Sequence, residues 1–360
     1  MNKIFALLDT LEKSRSLTRE QYEELIVGYS EKAAEYAAQK AVKARQSVYG
    51  KDVFIRGLIE ISNICKNDCY YCGIRRSNKK CQRYRLTKED ILQSAKEGYS
   101  LGFRTFVMQG GEDAKFTDEF LVDIIKNLKA LYPDCAITLS LGERSFESYK
   151  ALRLAGADRY LLRHETADKE HYEKLHPEEM SFENRMECLK NLKSLGFQVG
   201  CGFMVGSPYQ TVKTLAKDLK FIEEFAPDMC GIGPYLTHSD TPFKNMPSGS
   251  LGLTLYLLSI IRLIDPTILL PATTALGTIK EGGRELGILA GANVVMPNLS
   301  PISVRKKYML YNNKISTGDE AAESVENLKK SMKAIGYTVV TAKGDRSRTE
   351  IITNRLADAT

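Results

Sequence analysis

The pattern of residues 53 to 297 predicts an α/β chain folded as a (β/α)8 TIM barrel with an N-terminal helical extension. Three observations carry this prediction. Apolar runs rich in Val, Ile and Leu recur eight times, as expected of strands covered on both faces. Longer stretches of helical periodicity separate them and supply the crossovers that parallel strands require. No linker, fixed-period repeat or low-complexity tract interrupts residues 53 to 336, so the units fall in one continuous domain, and eight of them close a sheet on itself. A doubly wound open sheet is the alternative arrangement of the same elements.

Residues 1 to 47 read as helical, with Thr18 three residues before Gln21 in a capping-box pattern, and form the N-terminal extension. Residues 48 to 346 make the barrel and 347 to 360 a C-terminal tail. The first strand, 53 to 62 (VFIRGLIEIS), leads to a helix near 87 to 101, and the second, 105 to 109 (TFVMQ), to one near 118 to 131. Strands 136 to 141 (AITLSL) and 158 to 164 (DRYLLRH) precede helices near 145 to 155 and 181 to 195. Strands 198 to 205 (QVGCGFMV) and 229 to 235 (MCGIGPY) precede helices near 211 to 225 and 251 to 264. Strand 268 to 274 (ILLPATT) precedes a helix near 282 to 290, and strand 292 to 297 (ANVVMP) precedes a last one near 319 to 335.

Composition narrows the function classes. The 360 residues are 43% hydrophobic, as in soluble globular proteins, and 51 Lys and Arg against 45 Asp and Glu leave a modest net +6 that marks no nucleic-acid partner. The N-terminal apolar run, Ile4 to Leu8, is too short for a secretory signal. The segment 251 to 264 carries Arg262 and stops at Asp265, so it reads as a buried helix and not a membrane span. A cytoplasmic protein is expected, and its eight cysteines suit metal ligation and buried thiols better than disulfides. Cys135, Cys188, Cys201 and Cys230 are scattered and read as packing residues.

In such a barrel the site lies where the loops leave the carboxyl ends of the strands. The unusual residues fall there: the cysteine loop after the first strand, Gly110-Gly111-Glu112 after the second, His164-Glu165-Thr166 after the fourth, Gly206-Ser207-Pro208, Pro234-Tyr235, and Thr273-Thr274. Cys65, Cys69 and Cys72 lie in CKNDCYYC. Three thiolates at this spacing can hold three irons of a 4Fe-4S cluster and leave the fourth iron open to a substrate. A structural zinc site or a fully liganded cluster needs a fourth ligand, for which Cys81 is the nearest candidate. The glycine pair lets a ligand approach main chain, or makes a tight turn. Arg163 and Glu165 share one side of a strand, with His164 on the other, so Glu165 either accepts bonds from vicinal ribose hydroxyls or pairs with Arg163. Arg185 falls among Phe182, Met186, Leu189 and Leu192 on a helical wheel. A guanidinium there either grips a carboxylate with two parallel bonds or snorkels along the helix. Thr273 and Thr274 offer hydroxyls, Arg56 brings a charge inside the barrel that needs pairing, and Tyr308 and Tyr311 can wall a cavity.

The cysteine spacing resembles the signature of radical S-adenosylmethionine (SAM) enzymes. The segments CKNDCYYCGIRR, MQGGED, LLRHETAD, MVGSPYQT, GIGPYLTHSDTPF, PATTALGT and GANVVMPNLSP resemble those of the HydE family, radical SAM maturases of FeFe-hydrogenase, over roughly residues 20 to 346. Biotin synthase and methylornithine synthase are its kin in fold. The resemblance implies a barrel of radical SAM type with one 4Fe-4S cluster on Cys65, Cys69 and Cys72, and SAM chelating the open iron. It further implies Tyr71 beside the adenine, Gly110, Gly111 and Glu112 at the amino group, Arg163 and Glu165 at the ribose end, and Arg185 on the carboxylate. Arg56, Thr273, Thr274 and Tyr308 match positions of an anion and substrate pocket. One electron would cleave SAM to methionine and a 5′-deoxyadenosyl radical. The implied substrate is a cysteine-ligated iron carbonyl and cyanide fragment on the way to the dithiolate bridge, delivered by a partner maturase, with a separate electron donor. No cysteine follows Cys230 and the stretch that carries a second cluster in some members reads LYNNKISTGDEAAES, so a single cluster is expected. The rival readings are a radical SAM mutase or sulfur-transfer enzyme acting on a small amino acid, and a non-catalytic iron-sulfur carrier.

Overall fold

Helices α1 (Asn2–Ser14), α2 (Arg19–Val27) and α3 (Glu31–Tyr49) come first in the computed structural model, which describes residues 2–315 and 321–347. Thr18 closes the expected capping box with Gln21. The chain then enters β1 (Asp52–Ile55) and β2 (Gly57–Ser62), one extended stretch broken at Arg56. Every residue of β2 is buried, because one face looks into the barrel and the other meets helices.

There follow α4 (Lys88–Ser100), β3 (Thr105–Gly110), α5 (Asp118–Leu131), β4 (Ala136–Ser140), α6 (Phe146–Ala155) and β5 (Arg159–Leu161). Next come α7 (Lys169–Leu175), α8 (Phe182–Ser194), β6 (Gln198–Cys201), β7 (Met204–Val205), α9 (Val212–Phe225), β8 (Met229–Cys230) and β9 (Gly233–Pro234). The remainder is α10 (Leu251–Ile264), α11 (Thr274–Ile279), α12 (Gly283–Leu289), β10 (Val294–Val295), α13 (Ile302–Arg305), α14 (Ala321–Ala334) and β11 (Thr338–Val340). Strands β2, β3, β4, β5, β6 and β8 hydrogen-bond in that order, all parallel, and β7 pairs with β9 beyond them. Bridges from Met229 to Leu269 and from Pro271 to Val294, with β10 paired to β1, bring the sheet back to its start. Helix α3 packs on α10 and α2 on α9, so the N-terminal helices cover the barrel's outer layer.

Three expectations need correction in detail. The seventh strand, placed at 268 to 274, makes only isolated bridges at Leu269 and Pro271, because Pro271 has no N–H for a continuous ladder, and Thr274 already begins α11. The fourth strand stops at Leu161, before its functional turn. Strand β11 has no counterpart in the sequence reading: it is short, it is not buried, and it pairs with β1 from Asp52 and Thr338 upward. It occupies beside β1 the place β3 takes beside β2. The first residues of the helix expected at 319 to 335, and nearly all of the tail, lie outside the described residues. Among the described residues no helix is long and apolar enough to cross a membrane.

Candidate functional site

The loop after β2 owes its shape to polar side chains that bind its own backbone. The Arg83 guanidinium donates to the carbonyls of Asn63, Ile74, Arg75 and Asn78 at 2.5 to 3.2 Å. Asp68 accepts from Arg75 at 2.6 and 2.8 Å and from the Ser77 hydroxyl at 2.6 Å, and the bond from Arg75 chiefly holds its carboxyl well below the usual range. Asn78 donates to the Gly73 carbonyl at 2.7 Å. So constrained, the loop keeps Cys65, Cys69 and Cys72 within electrostatic reach of one another. Burial first and then the other two sulfurs push the Cys69 thiol well up, and burial with Cys65 pushes Cys72 up to about 12.

Three neighbouring sulfurs that resist ionisation by themselves fit a cationic group that would stabilise all three thiolates together. Among the described residues no three His, Cys, Asp or Glu side chains converge as a single metal ion requires; thiolates on separate irons of a cluster need no such convergence. Cys81 accepts from Asn63 Nδ2 at 3.4 Å and lines an outer cleft of about 400 Å³ with Lys80, His238 and Lys307.

The strand ends complete the wall. At the end of β3, Gly111 N–H donates to Ser62 O at 3.1 Å, and a Cβ on Gly111 would stand 2.3 Å from Ile64 O and 2.7 Å from Cys65 Cβ. Gly111→Ala is therefore expected to displace the cysteine loop and leave little iron bound after reconstitution, with the overlap costing about 1–3 kcal/mol. Gly231→Ala, whose Cβ meets no other atom closer than Cys201 O at 4.0 Å, should retain its iron; parallel iron assays check both. The Glu112 carboxylate accepts from Glu143 N–H at 2.9 Å and pairs with Lys66 at 3.1 Å, and its carbonyl accepts Lys66 N–H, so it ties three loops together.

Past the end of β5, where strand alternation no longer applies, Arg163 and Glu165 form an ion pair at 3.4 Å. Both keep buried polar atoms without a hydrogen-bond partner, Nε and Nη2 of Arg163 and Oε2 of Glu165. Arg185 on α8 donates to Glu143 Oε1 at 2.5 Å and to the Arg163 carbonyl at 2.6 Å. Tyr71 bonds His176 Nε2 at 3.2 Å, and His176 stacks on Tyr172 with ring centres 3.9 Å apart. Cys69 Sγ lies 3.6 Å from Met180 Sδ. Glu165 opposes and Arg185 favours ionisation of both Cys69 and Tyr71.

The pocket residues divide. Tyr308 accepts from Gln109 at 3.3 Å on the barrel interior. Thr273 has a buried hydroxyl without a hydrogen-bond partner, close to where a Cβ on Gly233 would be, and the neighbouring Thr274 is half-buried at the start of α11. Arg56 is elsewhere: it lies six residues before the end of β2, about 20 Å below it at ~3.3 Å per residue. There it donates to Met229 Sδ at 2.7 Å in a small floor cavity with Thr138 and Arg159. Burial, then repulsion from Arg159, holds its proton affinity well below normal. Arg56 and Thr273 thus sit at different heights of the barrel.

Sequence reasoning missed Glu143, Tyr172, His176 and Met180, which carry no motif of their own. It also missed Glu60, whose position inside the apolar run LIEIS was a signal. Glu60 is fully buried on β2, bonded to Lys314 and, at 3.0 Å, to Asn298, while Lys314 also donates to the Tyr308 carbonyl at 3.0 Å.

The radical SAM superfamily profile matches residues 59–222. The chain is 42% identical over 342 residues, 95% of its length and 97% of the relative's, to the "[FeFe] hydrogenase maturase subunit HydE" of Thermotoga maritima. It is 30% identical to the 3-methylornithine synthase of Methanosarcina acetivorans, over 82% of this chain and 83% of that one. Among solved structures, methylornithine synthase (PylB) superposes with a TM-score of 0.81 at 26% identity, over 93% of this chain and 97% of the other. The maturase HydG shares the fold, with a TM-score of 0.76 at 19% identity over 93% of this chain and 75% of its own.

Proposed function

This chain belongs to the HydE family of radical SAM enzymes, and from that premise we propose that it acts in FeFe-hydrogenase maturation by cleaving SAM on a 4Fe-4S cluster held by Cys65, Cys69 and Cys72. The observation that supports this most is that three thiols of one loop, Glu165 and Arg185 lie within electrostatic reach of one another past the carboxyl ends of the strands. When bound, the reduced cluster supplies the electron that breaks the sulfonium of SAM.

The chain's own residues do the holding. Gly110 and Gly111 expose main chain to the amino group, with Glu112 bracing the loop behind them. Glu165 accepts from the ribose hydroxyls beside Arg163. Arg185, aimed by Glu143, offers its remaining donors to the carboxylate. Tyr71, fixed by His176, walls the adenine. The buried Thr273 hydroxyl, with Thr274 and Tyr308, faces a polar substrate inside the barrel, for which we propose a cysteine-ligated iron carbonyl and cyanide fragment. Arg56 below attracts anions into the barrel. The closed wall excludes water and stray hydrogen donors. An electron donor and the other maturases are its proposed partners.

The test is anaerobic: reconstitute with iron and sulfide, reduce with dithionite, add SAM and quantify 5′-deoxyadenosine. Formation of the nucleoside is expected. A fully assembled, reduced cluster that left SAM intact would favour a carrier. In the same assay Arg185→Ala is expected to weaken SAM binding about tenfold to a hundredfold, the size of a charge-assisted bond, with iron content unchanged.

A further inference from the structure

Behind the ribose-facing turn lies a buried imidazole–carboxylate pair that none of the contacts above uses. His164 and Asp218 are both fully buried, with His164 Nε2 3.3 Å from Asp218 Oδ1. Gly202 N–H donates to His164 Nδ1 at 3.2 Å. That bond makes Nδ1 an acceptor and puts the imidazole proton on Nε2, facing Asp218. Asp218 Oδ1 also accepts the Ala167 N–H at 2.6 Å. Phe203 and Phe221 pack on the imidazole, ring centres 5.8 and 4.7 Å away.

Gly202 links this pair to the site. While its N–H binds His164, its carbonyl accepts the N–H of Glu165 at 3.0 Å. Glu165 has φ +64°, in the left-handed region that a side chain with a Cβ adopts only when its surroundings enforce it. The enforcement is visible on both sides of the residue. His164 is bonded to Gly202 and lies against Asp218 before it, and the Ala167 N–H is bonded to Asp218 after it. A relaxed turn would swing the Glu165 carboxylate away from Arg163.

We infer that His164 and Asp218 are positioning residues that hold the strained turn at Glu165 and so aim its carboxylate at the ribose of SAM, an inference that rests on the ribose contact proposed above. Neither residue touches the ligand. The effect is one of shape: Nδ1 must accept from Gly202, and the ring must keep its close approach to the Asp218 side chain.

The test uses reconstituted holoenzyme titrated with S-adenosylhomocysteine, which is not cleaved, and with its 2′-deoxy analogue. The wild-type chain is expected to prefer the ribosyl ligand about tenfold or more, as a hydrogen bond to a carboxylate implies, and Glu165→Ala to lose that preference. His164→Phe combined with Asp218→Asn fills the same space and leaves no buried charge unpaired, so it should fold. In it the preference is expected to fall to about two- to threefold with iron content unchanged, since the contact is mis-aimed and not removed. Asp218→Asn alone keeps an acceptor for the Ala167 N–H and the same shape beside the imidazole, and should keep the preference. Adding Glu165→Ala to the double variant should cost nothing beyond Glu165→Ala itself. A wild-type preference in the double variant would overturn the inference, as would a parallel loss of iron and of both ligands, the mark of a purely structural role. No effect of Glu165→Ala would remove the ribose contact and this inference together.

Discussion

A Cys69→Ser variant is expected to bind no 4Fe-4S cluster and to form no 5′-deoxyadenosine, while keeping the wild-type melting profile of the apo-protein. Hydroxyl oxygen is a hard, weakly acidic ligand and does not replace a thiolate on iron. The fold should be indifferent, because the loop is shaped by Arg83, Asp68 and Asn78 and not by the thiols. Cys65→Ser and Cys72→Ser should behave alike. Cys81→Ala should bind iron as the wild type does, since its thiol lines the outer cleft with Lys80 and Lys307. Iron and sulfide analysis with the electron paramagnetic resonance of the reduced protein reads all four. Loss of iron in Cys81→Ala as well would point to a closed four-thiolate site and away from SAM chemistry.

Glu60→Ala is expected to be the most destabilising single change away from the cysteine loop, at about 3–5 kcal/mol, because it leaves the Lys314 ammonium buried without a counter-charge. Lys314 would keep the Tyr308 carbonyl and ring, neither of them a counter-charge, and Asn298 Nδ2 would lose the Glu60 carboxylate. Removing both charges together, in Glu60→Leu/Lys314→Met, should recover most of that loss, since a buried pair replaced by apolar groups of similar volume is often neutral. Denaturant titration of wild type, Glu60→Leu, Lys314→Met and the double variant, beside Glu60→Ala, checks it. If the double variant is as unstable as the sum of the two single changes, the pair is not coupled.

Much of this protein was legible along the chain. Strand and helix positions follow from residue periodicity and from caps such as Thr18, which act over three or four residues; the structure adds like caps at Thr87 and Thr211. The cysteine trio spans eight residues of sequence, so its chemistry was readable locally, whereas the facing of His164 and Glu165 is set by a turn at φ +64° after the strand has ended and not by strand alternation. The tertiary structure alone decided the partners of the buried charges. Glu60 meets Lys314 across 254 residues, Arg185 meets Glu143 across 42, and His164 meets Asp218 only because α9 lies against the turn after β5. It also separated Arg56 from Thr273, placing one at the floor of the barrel and the other at a strand end, and it added β11 beside β1. The physical reason is common to all of these. Hydrophobic periodicity acts through near neighbours and dictates which elements form, whereas a buried charge needs a counter-charge or hydrogen bonds wherever closure of the barrel has put it.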